Sequence, residues 1–361
     1  MMRIGERLQA TIFGSSHGPE VGVEIDGIPP GTPIDLPGIQ DQLNRRRPVG
    51  RRLATKRQEE DRLVVDSGCV DGLAVGGRFR AHVANEDVRR EPYDRMRDTP
   101  RPGHADYPAR VRYGADADLS GGGIFSGRMT VGLVIAGSIA RQMLARRGVE
   151  VAGYTRSIGP VDAEVSEAAT LDELRSRAAA NEVATPDPVA AARMEEEIAL
   201  ARREGDSVGG LVEVRIDGLP VGLGEPFFDS IESVIAHAVF SVPAVKGIEF
   251  GAGFRAARMR GSEHNDPFLW KDGRVRTSTN HSGGILGGLA TGMPVVFRAV
   301  VKPTSSIARP QQTVDLARGT SATLGVTGRH DPCIVPRAVV VLESVAAFAL
   351  ADLALRGGYL S

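Results

Sequence analysis

Two segments of this chain read almost alike, and they limit its fold more than any other feature. Residues 23–31 are VEIDGIPPG and residues 214–222 are VRIDGLPVG, with six of nine positions identical. Each alternates like a strand and then runs into a Gly/Pro turn. A helical pattern follows both, DLPGIQDQLNRRR in the first and FDSIESVIAHAV in the second. A further echo comes later: SGRMT at 126–130 precedes a long apolar helix through Leu144, and TGRHDP at 327–332 precedes another through Leu355. The pairing predicts one α+β domain over residues 1–361, with halves of roughly 1–160 and 207–361. The polar, charge-dense stretch 162–206 reads as a solvated helical connector. Strand candidates at 62–70, 149–156, 210–216 and 294–301, beside two long apolar helices, suggest sheets layered with helices.

Composition narrows the function classes. Forty-four basic residues face 45 acidic ones, a net charge of -1, which speaks against a strongly basic nucleic-acid binder. Hydrophobic residues at 42% suffice for a substantial core. No uninterrupted apolar run of about 18 residues marks a membrane span. The opening MMRIGERLQATIFGSSHG lacks the features of a secretory leader, so a cytoplasmic protein is expected. Cys69 and Cys333 form no CxxC pair and suggest neither a disulfide framework nor a zinc site. Only four residues are lysine, and 40 are arginine; an isolated arginine therefore marks a site poorly, and a lysine rather better.

Seven segments carry groups capable of chemistry. GSSHG at 14–18 sets Ser16 and His17 in a glycine-flanked turn before a strand, although a turn histidine also serves plain packing. NRRRPVGRR at 44–52 offers bidentate guanidinium donors to phosphate or carboxylate, or is a solvated basic loop. RPGHAD at 101–106 places His104 between a cation and a carboxylate, as a proton donor or an ordinary turn. LSGGGIFSGRMT at 119–130 is a glycine loop opening into a helix, where free amides and Arg128 attract anions. It matches neither the P-loop nor the dinucleotide-binding pattern. SGGILGG at 282–288 offers the same property, or merely close backbone packing. KPTSS at 302–306 joins a rare lysine to three hydroxyls that suit a phosphate. GRHDPC at 328–333 gathers Arg329, His330 and Asp331 before the last helix, where Asp331 either handles a proton or caps the helix.

The order GSSHG, RRRP, RPGHAD, GGGxxSGRxT, GGILGG, KPTSS, GRHDP resembles the chorismate synthase family from Gly14 to the final helix. The resemblance implies a β-α-β sandwich with internal pseudo-two-fold duplication. It also implies a carbon–oxygen lyase of the shikimate pathway that converts 5-enolpyruvylshikimate 3-phosphate into chorismate and phosphate. This is a 1,4-anti elimination that needs reduced FMN without net redox change.

Carried over by position, His17 faces the leaving phosphate, His104 the reduced flavin near N1, and Asp331 assists proton removal at flavin N5. Ser16, Arg46, Arg52, Arg101, Ser126, Arg128 and Arg329 bind the substrate. Lys302, Pro303, Thr304, Ser305, Ser306, Ala244, Gly287, Ser126 and Arg329 bind FMN. Arg46 and Arg52 also take positions that the family assigns to NADPH, an indirect reductant. A homotetramer and an external flavin reductase are implied as partners, with neither nucleic acid nor membrane. The chain departs from the family pattern at Ile124, Phe125 and Met129, where the family carries polar or charged residues, and at Pro243, where it commonly has Asn. Two competing readings are an NADPH-dependent flavin reductase and an Arg-rich binder of phosphate or nucleic acid.

Overall fold

The computed structural model describes residues 2–47, 59–86, 98–114, 120–326 and 331–360. Alternating burial in the N-terminal strands builds the first layer. Strands β1 (Arg3–Ile4), β2 (Gln9–Gly14) and β3 (Glu20–Asp26) are followed by helix α1 (Leu36–Arg46), then β4 (Val64–Ser67) and β5 (Phe79–Ala84). They form an antiparallel sheet in the order β1-β2-β3-β5-β4. Val21, Val23, Ile25, Phe79, Ala81 and Val83 point into the core, while Glu20, Glu24 and Arg80 ion-pair on the outer face. The short helix α2 (Asp106–Tyr113) and the long apolar helix α3 (Thr130–Ala145) complete this half.

The second half repeats that plan. Strands β6 (Glu150–Ile158) and β7 (Val161–Asp162) are followed by helices α4 (Leu171–Ala179) and α5 (Pro188–Arg203), then strand β8 (Gly210–Asp217), helix α6 (Ile231–Phe240), strands β9 (Val245–Phe250) and β10 (Val295–Val301), and helix α7 (Val335–Arg356). The sheet order is β9-β10-β8-β6-β7, again antiparallel. Leaving out the short edge strands, β2-β3-β5-β4 and β6-β8-β10-β9 have the same order of connection and pairing.

The repeated IDG explains why the echo lies where it does. Gly27 (φ +89°) and Gly218 (φ +83°) both turn the chain out of a strand in the left-handed region. A Cβ on Gly27 would lie 1.8 Å from the Arg7 carbonyl oxygen, and one on Gly218 would lie 2.0 Å from that of Gly148. In both halves the glycine touches the chain just before the preceding long strand.

Between the sheets lie the helices. Helix α3 packs on the first sheet, α7 on the second, and α3 on α7. They come close at Gly137, where a Cβ would lie 2.4 Å from Ser344 Cα. Helix α7 is long and apolar enough to cross a membrane, yet 94% of its most apolar stretch is buried inside the fold. Its buried Asp352 accepts hydrogen bonds from the backbone N–H groups of Glu6, Arg7 and Leu8. The other buried carboxylate of this helix, Glu343, receives Arg45 from α1, Arg141 from α3 and the N–H of Gly153 from β6.

Two features differ from the sequence reading. The strand near residue 150 belongs to the second sheet, because β6 pairs along β8; the change of layer comes directly after α3. The 162–206 connector is not simply solvated. Leu171 and Leu174 of α4 pack with Tyr154 on the outer face of the second sheet, and Met194 and Ile198 of α5 enter the main core. Counting charge along α5 hid that narrow apolar stripe.

Candidate active site

The turn after β2 is the first wall of the site. Gly14 (φ +92°) lies so close to β3 that a Cβ would meet the Glu20 carbonyl oxygen at 2.1 Å. The turn buries Ser16 and His17. Asn85, just beyond β5, holds it from beneath: its Nδ2 donates to the carbonyls of Ser15 at 3.0 Å and Gly18 at 2.8 Å.

The glycine loop forms the second wall. Gly121, Gly122 and Gly123 all have positive φ, a run that residues with side chains do not sustain. A Cβ on Gly121 would lie 2.3 Å from His17 Cε1, and one on Gly122 would lie 3.3 Å from both Cε1 and Nε2 of His104. Two histidines that are 87 positions apart in the sequence thus face neighbouring glycines of one loop. The loop does not open straight into the long helix, as its sequence suggested. Ser126 accepts the Arg128 N–H at 3.3 Å and caps a 3-10 turn, after which α3 begins at Thr130. Ile124 is exposed and Met129 is buried.

RPGHAD forms a compact triad. Asp106 accepts Arg101 Nε at 2.7 Å and Nη2 at 2.8 Å, and lies 2.6 Å from His104 Nδ1. The carboxylate and Arg101 Nη2, 3.1 Å from the same Nδ1, orient the imidazole and leave Nε2 toward Gly122. Burial opposes ionisation of Asp106 most strongly, but the Arg101 and His104 hydrogen bonds outweigh it and hold the carboxyl well below its ordinary range. Arg101 Nη1 also donates to Ser306 Oγ at 3.1 Å. A Cβ on Gly103 would sit 3.4 Å from Ser305 Cβ and 3.7 Å from Lys302 Nζ. KPTSS is therefore next to His104. Burial, then repulsion from Lys246, lowers the pKa of Lys302. The Lys302 N–H donates to the carbonyl of Ala244 (φ +73°) at 2.9 Å, which brings Ala244 to the same loop. Pro243 directly precedes it.

Beneath these walls lies a buried layer of arginines. Arg46 Nη2 donates to Asp61 Oδ2 at 2.5 Å, and Arg128 Nη1 donates to Asp61 Oδ1. The Arg128 Nε reaches Asn85 Oδ1 at 2.8 Å, and its Nη2 reaches the Ala84 carbonyl at 3.1 Å. Burial pushes the Arg46 guanidinium down to about 10 against the pull of Asp61, with Arg128 and Arg337 adding repulsion. Arg337, in the first turn of α7, donates from Nε to the Arg46 carbonyl at 3.0 Å and from Nη1 to Asp331. The helix-cap position falls on Ile334, so the Asp331 carboxylate pairs with Arg337 rather than serving as the residue before the helix. Thr304 Oγ1 donates to the Asp331 carbonyl at 3.1 Å, which returns the chain of contacts to KPTSS. Burial pushes the neighbouring Cys333 thiol up to about 12, out of the range of a nucleophile at neutral pH.

Ser16, His17, Arg46, Arg101, His104, Ser126, Arg128, Ala244, Lys302, Pro303, Thr304, Ser305, Ser306 and Asp331 thus belong to connected walls. Gly287 is not among them: it is exposed in the hairpin turn between Ile285–Leu286 and Leu289–Ala290, which packs near Ser230. Arg52 and Arg329 lie outside the described residues, as does His330. Asp61, Asn85 and Arg337 were not singled out from sequence. Asp61 is hidden in the charge-dense KRQEED, and Arg337 has no neighbouring motif to mark it.

The chain is similar to known proteins over nearly its whole length. A sequence profile of the chorismate synthase family matches residues 8–355. The chain is 48% identical over 352 residues to the chorismate synthase of Korarchaeum cryptofilum and 49% identical over the same length to that of Thermococcus gammatolerans. Each alignment covers 98% of this chain and 97% of the relative. A crystal structure of chorismate synthase superposes with a TM-score of 0.78 at 26% identity, covering 98% of this chain and 93% of that one. The chain belongs to the chorismate synthase family.

Proposed function

We propose that this protein converts 5-enolpyruvylshikimate 3-phosphate into chorismate and phosphate, as a carbon–oxygen lyase of the shikimate pathway that requires reduced FMN. The observation that carries this reading is the convergence of His17 and His104 on adjacent glycines of one loop, above a layer of buried arginines. The elimination breaks a C–H bond and the C–O bond to phosphate on opposite faces of the ring. It calls for a proton donor at the leaving phosphate and a separate group that handles the proton from carbon.

His17 suits the first task, next to Gly121. His104 suits a proton carrier that Asp106 orients from behind, with Nε2 turned toward the reaction space. Asp331 is held by Arg337 and assists the proton transfer. Arg46, Arg101 and Arg128, with Ser16 and Ser126, bind the phosphate and carboxylates. Arg52 and Arg329 join them on the strength of the family resemblance.

The residues present fit a flavin. Lys302 and the hydroxyls of KPTSS lie beside His104, while the buried Ser16 Oγ and Arg46 Nε, without a hydrogen-bond partner among the described residues, are donors left for the anionic substrate. Ala244, Pro303, Thr304, Ser305 and Ser306 would line that group, and Gly287, in its exposed hairpin, is left out of it. When bound, the reduced flavin supplies transient electron density and a proton-accepting nitrogen. In line with the family resemblance, an external reductase supplies reduced FMN, and NADPH serves only as an indirect reductant. A homotetramer in the cytoplasm completes the reading.

The test is anaerobic. Purified protein with substrate and chemically reduced FMN should release chorismate and phosphate in equal amounts, and oxidised FMN with NADPH should give neither. Equal turnover in the second sample would mean an intrinsic reductase. No chorismate from folded, FMN-binding protein would defeat the proposal.

A further inference from the structure

The buried layer has one residue at its centre to which the family resemblance assigned no task. Asp61 has a fully buried side chain, and its two carboxylate oxygens divide between two cations, Oδ2 to Arg46 and Oδ1 to Arg128. Its backbone is left-handed (φ +48°), which a residue with a side chain keeps only when its surroundings enforce it. The enforcement comes from α1. Gln40 Nε2 donates to the Asp61 carbonyl at 3.1 Å, Gln40 Oε1 accepts the Leu63 N–H at 2.8 Å, and Arg47 Nε donates to the Glu59 carbonyl at 2.7 Å. One helix therefore fixes the carboxylate and also carries one of the arginines it holds.

The second arginine leads elsewhere. Arg128 Nε is bonded to Asn85, whose amide holds the turn bearing Ser16 and His17. On its other side, Arg46 is tied through its carbonyl to Arg337, the partner of Asp331. Asp61 thus joins the His17 wall to the Asp331 wall. Neither guanidinium is used up: each has five N–H donors, and Arg46 Nε has no partner among the described residues. Two buried guanidiniums repel each other unless a shared counter-charge sets their separation and tilt.

We propose that Asp61 is a positioning residue for substrate binding, holding Arg46 and Arg128 side by side so that both present their remaining donors to one anionic group of the substrate. The inference rests on the reading that these two arginines bind 5-enolpyruvylshikimate 3-phosphate. Asp61 does not touch the substrate; it acts through the pair.

The test uses the full chain with reduced FMN. Asp61→Asn should raise KM for 5-enolpyruvylshikimate 3-phosphate about 10- to 100-fold, the scale of a lost charged hydrogen bond, with kcat falling less than KM rises. Asp61→Glu, which keeps the charge, should recover part of the loss. A merely structural role would lower the unfolding temperature and kcat without this split. Arg46→Lys and Arg128→Lys test the underlying reading, and each should also raise KM. If the lysine variants raise KM and Asp61→Asn does not, the arginines act without Asp61 and the proposal is overturned while the substrate reading stands. If none of the three moves KM, both fall. A lower KM in Asp61→Asn would mean that the carboxylate competes with substrate, which also overturns the proposal. Should Asp61→Asn fail to fold, Asp61→Glu decides, since an unchanged KM in that variant is incompatible with a geometric role.

Discussion

His104 Nδ1 lies 2.6 Å from Asp106 Oδ1, and the same carboxylate receives both Nε and Nη2 of Arg101. The imidazole is thus oriented by a group that Arg101 itself keeps ionised. Asp106→Asn should lower kcat about tenfold or more by loosening the orientation of the ring. His104→Ala should cost about 10²–10⁴-fold, the usual range for a general acid or base, with FMN still bound. Anaerobic initial rates of chorismate release check both, and a wild-type rate in Asp106→Asn would detach the carboxylate from the mechanism.

At Gly121 a methyl group should act on a histidine it does not replace. The position has φ +59°, and the added Cβ would come within 2.3 Å of His17 Cε1. Gly121→Ala should lose about 1–2 kcal/mol of stability from the backbone alone and should lower kcat in the same direction as His17→Ala. Thermal unfolding and turnover measured together separate the two effects. Unchanged turnover would show that His17 tolerates displacement.

Arg337 pairs with Asp331 and with the end of α1, so its removal should reproduce part of the loss seen in an Asp331 variant. Asp331→Ala should slow the proton-transfer step more than it weakens substrate binding, and Arg337→Ala should do the same less severely. Single-turnover flavin spectra distinguish the step. Spectra identical to wild type in Asp331→Ala would reduce that residue to a structural contact.

Acid stability should depend on Glu343. Burial opposes its charge most, but Arg45, Arg141 and the Gly153 N–H overcome this and lower its pKa. A carboxyl whose pKa is depressed in the folded state stabilises the fold above its unfolded value and loses that contribution as pH falls through the folded one. Stability should therefore decline below about pH 4. Glu343→Gln should cost about 3 kcal/mol or more at neutral pH, as expected when one partner of a buried ion pair is removed, and should flatten the acid side of the profile. Urea unfolding midpoints from pH 7 to pH 3 measure both. A parallel profile would mean that other carboxylates carry the acid sensitivity.

Local features of this molecule were legible in the sequence because their causes are local. The IDG repeat is visible since a strand exit of this geometry needs glycine at Gly27 and Gly218, and Arg101, His104 and Asp106 lie within one turn of each other. The sheet assignment of β6 was not legible, because a strand pattern does not name its partner. Nor was Asp61: it is 15 positions from Arg46 and 67 from Arg128, and a carboxylate among KRQEED looks like any solvated charge until the fold buries it. The stripe on α5 was missed for the opposite reason, its few apolar residues being outnumbered by the charges on the exposed side.

The place of α7 bears on how the chain reaches its native state. This helix follows both sheets in the chain, yet it packs on α3 and on the second sheet, and its Asp352 secures residues 6–8. Until that helix is present, the second sheet cannot cover its apolar face and α3 leaves bare the side it turns to α7. Closing contacts between the two ends of a chain this long is slow, and exposed strands meanwhile invite association with other molecules. The N-terminal half should therefore not persist as a soluble fragment, and loss of the last helix would be felt first at the first strands.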